Sequence, residues 1–216
     1  MHEYFQRHDI IRIRPERISD AVQITPAGEH DRVINWLERY PMAVVRRPCM
    51  TSNKKRICCG IVLPVEEGKC RFAFEVALEA VAESQPPPRL ADCLGAAAPG
   101  WREPLRTLTE MPGLLPLAFG SLAWQYLTGR HYITDESDAD ILFRPASING
   151  WRELEKKLIQ WHRKYSSAPV DIEITFPGDF SMSWKEYLAG TEKLLFKAGN
   201  NVVLMERANI GNLFHV

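Results

Sequence analysis

The sequence predicts an α+β protein in two parts: an N-terminal, mostly antiparallel β domain with a helix over residues 1–85, and a C-terminal mixed α/β domain over residues 101–216. Three observations predict it. Short apolar runs separated by polar turns fill the first third, which is how strands joined by tight connections read. From Trp101 onward, runs of strand length alternate with runs of helical periodicity, the pattern of a mixed sheet covered by helices. Between the two lie Pro86-Pro87-Pro88 and Ala96-Ala97-Ala98-Pro99-Gly100. Tandem prolines exclude regular structure, so residues 86–100 are expected to be a linker.

In the first part, Val33, Ile34, Leu37 and Tyr40 recur at helical spacing, and Pro41 stops that helix. Residues 42–47, 57–63 and 71–77 read as strands, with polar turns at 51–55 and 66–69 between them. In the second part, residues 101–110 read as a helix that tolerates Pro104 in its first turn, and 114–119 as a strand. A helix over 121–128 follows, closed by Gly129. Residues 139–143 form the next strand. Residues 147–165 form a long amphipathic helix with Trp151, Leu154, Leu158 and Trp161 on one stripe. Residues 169–175 are a third strand and 184–189 a short helix. A closing hairpin turns around Gly199-Asn200-Asn201.

Composition narrows the class. Hydrophobic residues make up 45% and charged residues 25%, as in an ordinary globular protein. Lys+Arg and Asp+Glu balance at 27 each, so nothing in the charge asks for a nucleic-acid or membrane partner. No apolar run is long enough to span a bilayer, and Met1-His2-Glu3-Tyr4-Phe5-Gln6-Arg7 lacks the apolar centre of a signal peptide. A cytoplasmic protein is expected. The five cysteines, Cys49, Cys58, Cys59, Cys70 and Cys93, form no Cys-x-x-Cys, and their odd number argues against a disulfide framework or a zinc site. Of the adjacent Cys58 and Cys59, one buried and one outward-facing thiol are expected.

The chemistry concentrates between Phe119 and Leu142. An apolar strand ends in Gly120-Ser121, where free backbone N–H groups and a hydroxyl offer a dock for phosphate oxygens. Seventeen residues after Ser121 the chain reaches Asp138-Ala139-Asp140. Carboxylates two apart in a strand leave the same face, where they repel unless a cation lies between them. Hard oxygens of this kind suit Mg²⁺, which takes one or two carboxylates plus substrate phosphates. Asp171 and Glu173 alternate with Val170, Ile172 and Ile174 in the third strand. If that strand lies beside the first pair, Asp171 adds a third carboxylate, enough for a two-metal site for in-line phosphoryl transfer. Each feature alone is commonly a solvated strand face; their order along the chain makes coincidence much less probable. Arg46 and Arg47 can grip phosphate or serve as surface charge, and the same two readings apply to Lys197.

A phosphate cradle followed by a same-face aspartate pair resembles the nucleotidyltransferase superfamily. More narrowly, Gly120-Ser121-Leu122-Ala123-Trp124-Gln125, Leu127-Thr128-Gly129, Tyr132-Ile133-Thr134 and Ser137-Asp138-Ala139-Asp140-Ile141-Leu142 resemble the malonate decarboxylase holo-acyl-carrier-protein synthase family. That family is also called phosphoribosyl-dephospho-CoA transferase. The likeness extends to Arg7-His8-Asp9, Val44-Val45-Arg46-Arg47-Pro48, Pro87-Pro88, Trp184-Lys185-Glu186 and Leu195-Phe196-Lys197.

The resemblance implies transfer of the phosphoribosyl-dephospho-CoA group from 2′-(5″-triphosphoribosyl)-3′-dephospho-CoA to a serine of an apo acyl carrier protein, with pyrophosphate leaving. On it, Gly120 and Ser121 hold the triphosphate, Asp138 and Asp140 bind Mg²⁺, and Asp171 completes the metal site or accepts the serine proton. It also implies an acidic acceptor, for which Arg46, Arg47, Lys54, Lys55 and Arg56 are docking candidates. Whether Asp171 or Glu173 is the third carboxylate depends on the strand's register. Two other readings share the residues: a small nucleotidyltransferase with an NTP donor, and a non-catalytic nucleotide-binding protein on the same scaffold.

Overall fold

The computed structural model describes residues 5–47 and 55–215, so Cys49 and Lys54 lie outside the described residues. The chain divides into two compact units: residues 1–87 with Arg130–Tyr132, and residues 88–129 with 133–216. Each is built on its own six-stranded sheet, and no strand is shared between them.

The first unit is an all-antiparallel sheet of β1 (Ile10–Ile13), β2 (Val22–Thr25), β3 (Met42–Val45), β4 (Arg56–Val62), β5 (Arg71–Ala77) and β6 (Val81–Gln85), in the order β2-β5-β4-β3-β1-β6. Helix α1 (His30–Arg39) buries Val33, Trp36 and Leu37, spaced three and one apart as a helical stripe requires. Sequence periodicity missed β1, β2 and β6, whose four or five residues are too short to show a period. Cys58 and Cys59 are both buried, contrary to the expected one-in, one-out pair. The reason is that β4 is a central strand with its middle residues covered on both faces.

The second unit begins inside the expected linker. Residues 88–100 carry α2 (Leu90–Cys93) and two single 3₁₀ turns, Leu94–Ala96 and Pro99–Trp101. Leu90, Cys93, Ala97 and Trp101 are buried in the core of this unit. The prolines fall at Pro88, whose carbonyl accepts from the Ala118 N–H (2.8 Å), and at the first position of the last turn, both of which a ring tolerates. Then come α3 (Arg102–Thr109), β7 (Leu117–Phe119), α4 (Gly120–Thr128), β8 (Ala139–Phe143), α5 (Ile148–Tyr165), β9 (Val170–Phe176), β10 (Phe180–Ser183), α6 (Trp184–Leu188), β11 (Lys193–Ala198) and β12 (Asn201–Glu206).

The strands follow the order β12-β11-β10-β9-β8-β7. Only β8 and β9 run parallel, and the 18-residue α5 makes the crossover that a parallel pair needs. Ser147 caps α5 by accepting from the Gly150 N–H (3.1 Å). The predicted stripe of Trp151, Leu154, Leu158 and Trp161 is buried against the sheet residues Ala139, Ile141, Phe143, Val170, Ile172 and Ile174. One face of the sheet is thereby the core. The residues that alternate with these look the other way.

Candidate active site

That other face collects the candidate residues of the second unit. Phe119 is extended, and Gly120 turns the chain into α4 with a φ of +62°. Two facts require glycine there. A positive φ disfavours any side chain. A Cβ would also run into Oδ2 of Asp140 and lie 2.8 Å from its Cγ. The Asp140 carboxylate therefore rests against the first residue of α4. Phe119, the residue at the cap position, makes no side-chain capping bond, and the positive end of the helix dipole favours negative charge at this end. Ser121, half-buried, follows immediately. Leu122, Ala123 and Trp124 anchor the helix in the core, and Trp124 is accordingly packing. Gln125 stitches two loops: its Nε2 donates to the Ala96 carbonyl (2.7 Å) and its Oε1 accepts from the Ile133 N–H (3.2 Å).

Asp138 precedes β8 by one residue. Its approach is fixed by a turn in which the Ser137 N–H donates to the Thr134 carbonyl (2.9 Å) and the Thr134 N–H donates to Ser137 Oγ (3.0 Å). Strand register brings the rest together. Asp140 pairs with Phe119 on one side and directly with Asp171 on the other. Glu173 pairs with Leu142 and Ser183. The register thus places Asp171, not Glu173, beside Asp140. Asp171 meets Lys185 Nζ at 3.3 Å. Glu173 is buried and faces Lys197 Nζ at 3.9 Å, so Lys197 reaches the same face from β11. Thr175 and Ser181 share a hydroxyl hydrogen bond of 2.9 Å one row further along.

Lys185, Thr175, Ser181 and Ser183 were not singled out by sequence reasoning. The signal was there: Ser181 and Ser183 flank Met182 with the period of a half-buried strand. Arg46 and Arg47 lie at the end of β3 in the first unit. Arg46 is exposed, its N–H donates to the Cys58 carbonyl (2.8 Å), and its side chain crosses Gly60, where a Cβ would come within 2.7 Å of its Cδ. Arg56 is committed elsewhere, to the buried Glu75 (3.7 Å) and the Asp20 carbonyl (2.9 Å). Burial pushes the Cys93 thiol up to about 12, which keeps it protonated and non-nucleophilic near neutrality.

Among the described residues, no group of three or more His, Cys, Asp or Glu side chains is placed to hold a metal ion. Mg²⁺ does not need one, since it completes its shell with water and substrate phosphate. The donor set fits it: Asp140 and Asp171 occupy registered positions about 4.8 Å apart across neighbouring strands. Asp138 lies two residues upstream of Asp140.

Backbone donors for an anion beside hard carboxylate oxygens suit the handling of a phosphorylated substrate. In class the protein is a transferase. The family model for the Phosphoribosyl-dephospho-CoA transferase MdcG C-terminal domain matches residues 89–208, and that for the MdcG N-terminal domain matches residues 6–87. The chain belongs to this phosphoribosyl-dephospho-CoA transferase family. A protein of that name from Xanthomonas euvesicatoria pv. vesicatoria is 30% identical over 206 residues, 94% of each chain. One from Bradyrhizobium diazoefficiens is 30% identical over 213 residues, covering 90% of this chain and 92% of its own. One from Xanthomonas campestris pv. campestris is 28% identical over 204 residues. No solved structure matches the chain.

Proposed function

We propose that this enzyme transfers the phosphoribosyl-dephospho-CoA group from 2′-(5″-triphosphoribosyl)-3′-dephospho-CoA to a serine of the apo acyl carrier protein of malonate decarboxylase. The observation that carries the reading is the register of Asp140 with Asp171, beside a glycine that lets the Asp140 carboxylate lie on the N-terminus of α4. The two carboxylates leave registered positions with the Lys185 ammonium beside Asp171, and a helix end next to them suits phosphate.

In this reading Gly120 and Ser121 receive the triphosphate. Asp138 and Asp140 would hold Mg²⁺, with Asp171 completing the site or taking the serine proton; the ion would supply positive charge for the triphosphate and the departing pyrophosphate. Lys197 adds positive charge to the same face. The serine Oγ forms a bond to the α-phosphorus while the bond from that phosphorus to the bridging oxygen breaks. The electron pair leaves with pyrophosphate, and the serine proton passes to Asp171 or, where Asp171 ligates the metal, to water. Arg46 and Arg47, on the first unit, are candidates for binding the acidic acceptor. The product is a phosphodiester on the serine. Among the described residues no helix is long and apolar enough to cross a membrane.

Intact-mass measurement of the apo acyl carrier protein, incubated with the enzyme, Mg²⁺ and the triphosphoribosyl donor, tests the proposal. The expected result is a gain equal to the phosphoribosyl-dephospho-CoA group, with one pyrophosphate released per acceptor. A mass gain with ATP and none with the triphosphoribosyl donor would assign the enzyme to NTP-dependent transfer instead.

A further inference from the structure

Two ammonium groups reach the carboxylates of the second sheet, and they are held differently. Lys197 lies 3.9 Å from Glu173, which is buried. Drawing positive charge away from a buried carboxylate is costly, so Lys197 is tied to its place. Lys185 lies 3.3 Å from Asp171, and both side chains are open to water, 62% and 38% exposed. An ion pair this open contributes little to stability and separates readily. The backbone under Lys185 is nevertheless fixed. α6 begins directly after Ser183, which pairs with Glu173, so its first turn lies against β9 near Asp171. Trp184 is buried and stacks on buried Tyr187 (ring centroids 5.1 Å), and Glu186 Oε1 accepts from the Leu195 N–H (2.7 Å). Lys185 is thus a flexible, charged stem on an anchored base.

We propose that Lys185 is a donor-binding residue that changes partners, from Asp171, its neighbour in this structure, to a phosphate of the triphosphate. The inference rests on the proposed reaction, in which Asp171 completes the metal site or takes the serine proton. Either role needs the Asp171 oxygen that Lys185 faces. A dication beside the same carboxylate also repels the ammonium and weakens its hold there. The released charge has a destination. The registered row Phe119–Asp140–Asp171 spans two strand spacings, ~10 Å, with the start of α4 at one end and Lys185 at the other. A polyanion laid over carboxylates needs cations around it, and a lysine ammonium binds phosphate as a compact point charge. Lys197 contributes to the field from its place beside Glu173, whereas Lys185 makes the contact.

The test is the full-length enzyme carrying Lys185→Met, which keeps the stem and removes the charge, with Lys185→Gln as a second neutral variant should the first lower the melting temperature. Titration measures three affinities: for the triphosphoribosyl donor at saturating Mg²⁺, for Mg²⁺ without donor, and for the apo acyl carrier protein. Donor affinity should fall about tenfold or more, as for loss of a charge-assisted hydrogen bond. Mg²⁺ affinity should move the other way and rise on the order of fivefold at low salt, because a competing cation is gone. Acceptor affinity should stay within about twofold, as for a site that does not touch the substitution. Unchanged donor affinity overturns the inference, and so does a loss confined to the acceptor. Mg²⁺ affinity that fails to rise also overturns it, since a lysine that merely holds Asp171 in place would leave metal binding equal or weaker. Failure of the underlying reaction is read separately, in wild type: no Mg²⁺-dependent tightening of the donor would remove the metal site, and no mass gain on the acceptor would remove the transfer.

Discussion

Gly120 ties two distant parts of the sequence together. Its positive φ and the Asp140 carboxylate pressed against its Cα are separate demands, and both exclude a side chain. Gly120→Ala is therefore expected to cost about 1 kcal/mol in backbone strain and to displace Asp140. Activity should fall at least as far as in Asp140→Asn, which steady-state kinetics beside a thermal melt would show. Asp138→Asn keeps the shape of the side chain but removes charge. A loss of ~10²-fold in turnover is expected for an electrostatic group of this kind, with the melting temperature unchanged. Near-normal turnover would remove Asp138 from the site. These residues were legible in the sequence because glycine and same-face carboxylates have few other reasons to recur in that order. The choice of Asp171 over Glu173 was not legible, because alternation gives both the same face and only pairing with β8 separates them.

At the scale of elements, the long α5 and the strand β8 were readable to within a residue, since each has a strong period and clear ends. The three-residue β7 was read as 114–119, with its end right and its start three residues early, and the four-residue β10 was missed for lack of length. The proline-rich stretch misled for a different reason. Proline forbids a continued helix but not a series of single turns, and apolar Leu90, Cys93 and Ala97 draw those turns into the core. Gln125 holds this region to α4 through the Ala96 carbonyl and to the loop before Asp138 through the Ile133 N–H. Gln125→Leu leaves both backbone groups unmatched. A loss of about 1–3 kcal/mol per stranded group is expected in denaturant titration, together with weaker donor binding as the Thr134–Ser137 turn loosens.

For the molecule as a whole, alkaline pH should weaken the fold through two buried groups. Burial lifts Cys93 to about 12. Burial, and then the hydrogen bond to Glu155, lift Tyr187 to about 12. Both folded values lie above the ordinary ones, so the native state keeps protons that the unfolded chain releases. Their contribution is whole below about pH 9 for Cys93 and pH 10 for Tyr187, and it is lost as pH rises towards about 12. The unfolding free energy from urea titration should fall over that window by up to about 1.4 kcal/mol per pH unit for each group, less steeply in Cys93→Ala. On the proposed reaction, metal and triphosphate meet on the Asp140–Asp171 face of the second sheet. Donor affinity measured with and without Mg²⁺, across wild type, Asp140→Asn, Asp171→Asn and Glu173→Gln, tests it most directly. Mg²⁺ is expected to tighten donor binding in wild type and Glu173→Gln but not in Asp140→Asn or Asp171→Asn. Full Mg²⁺-dependent tightening in both aspartate variants would contradict it.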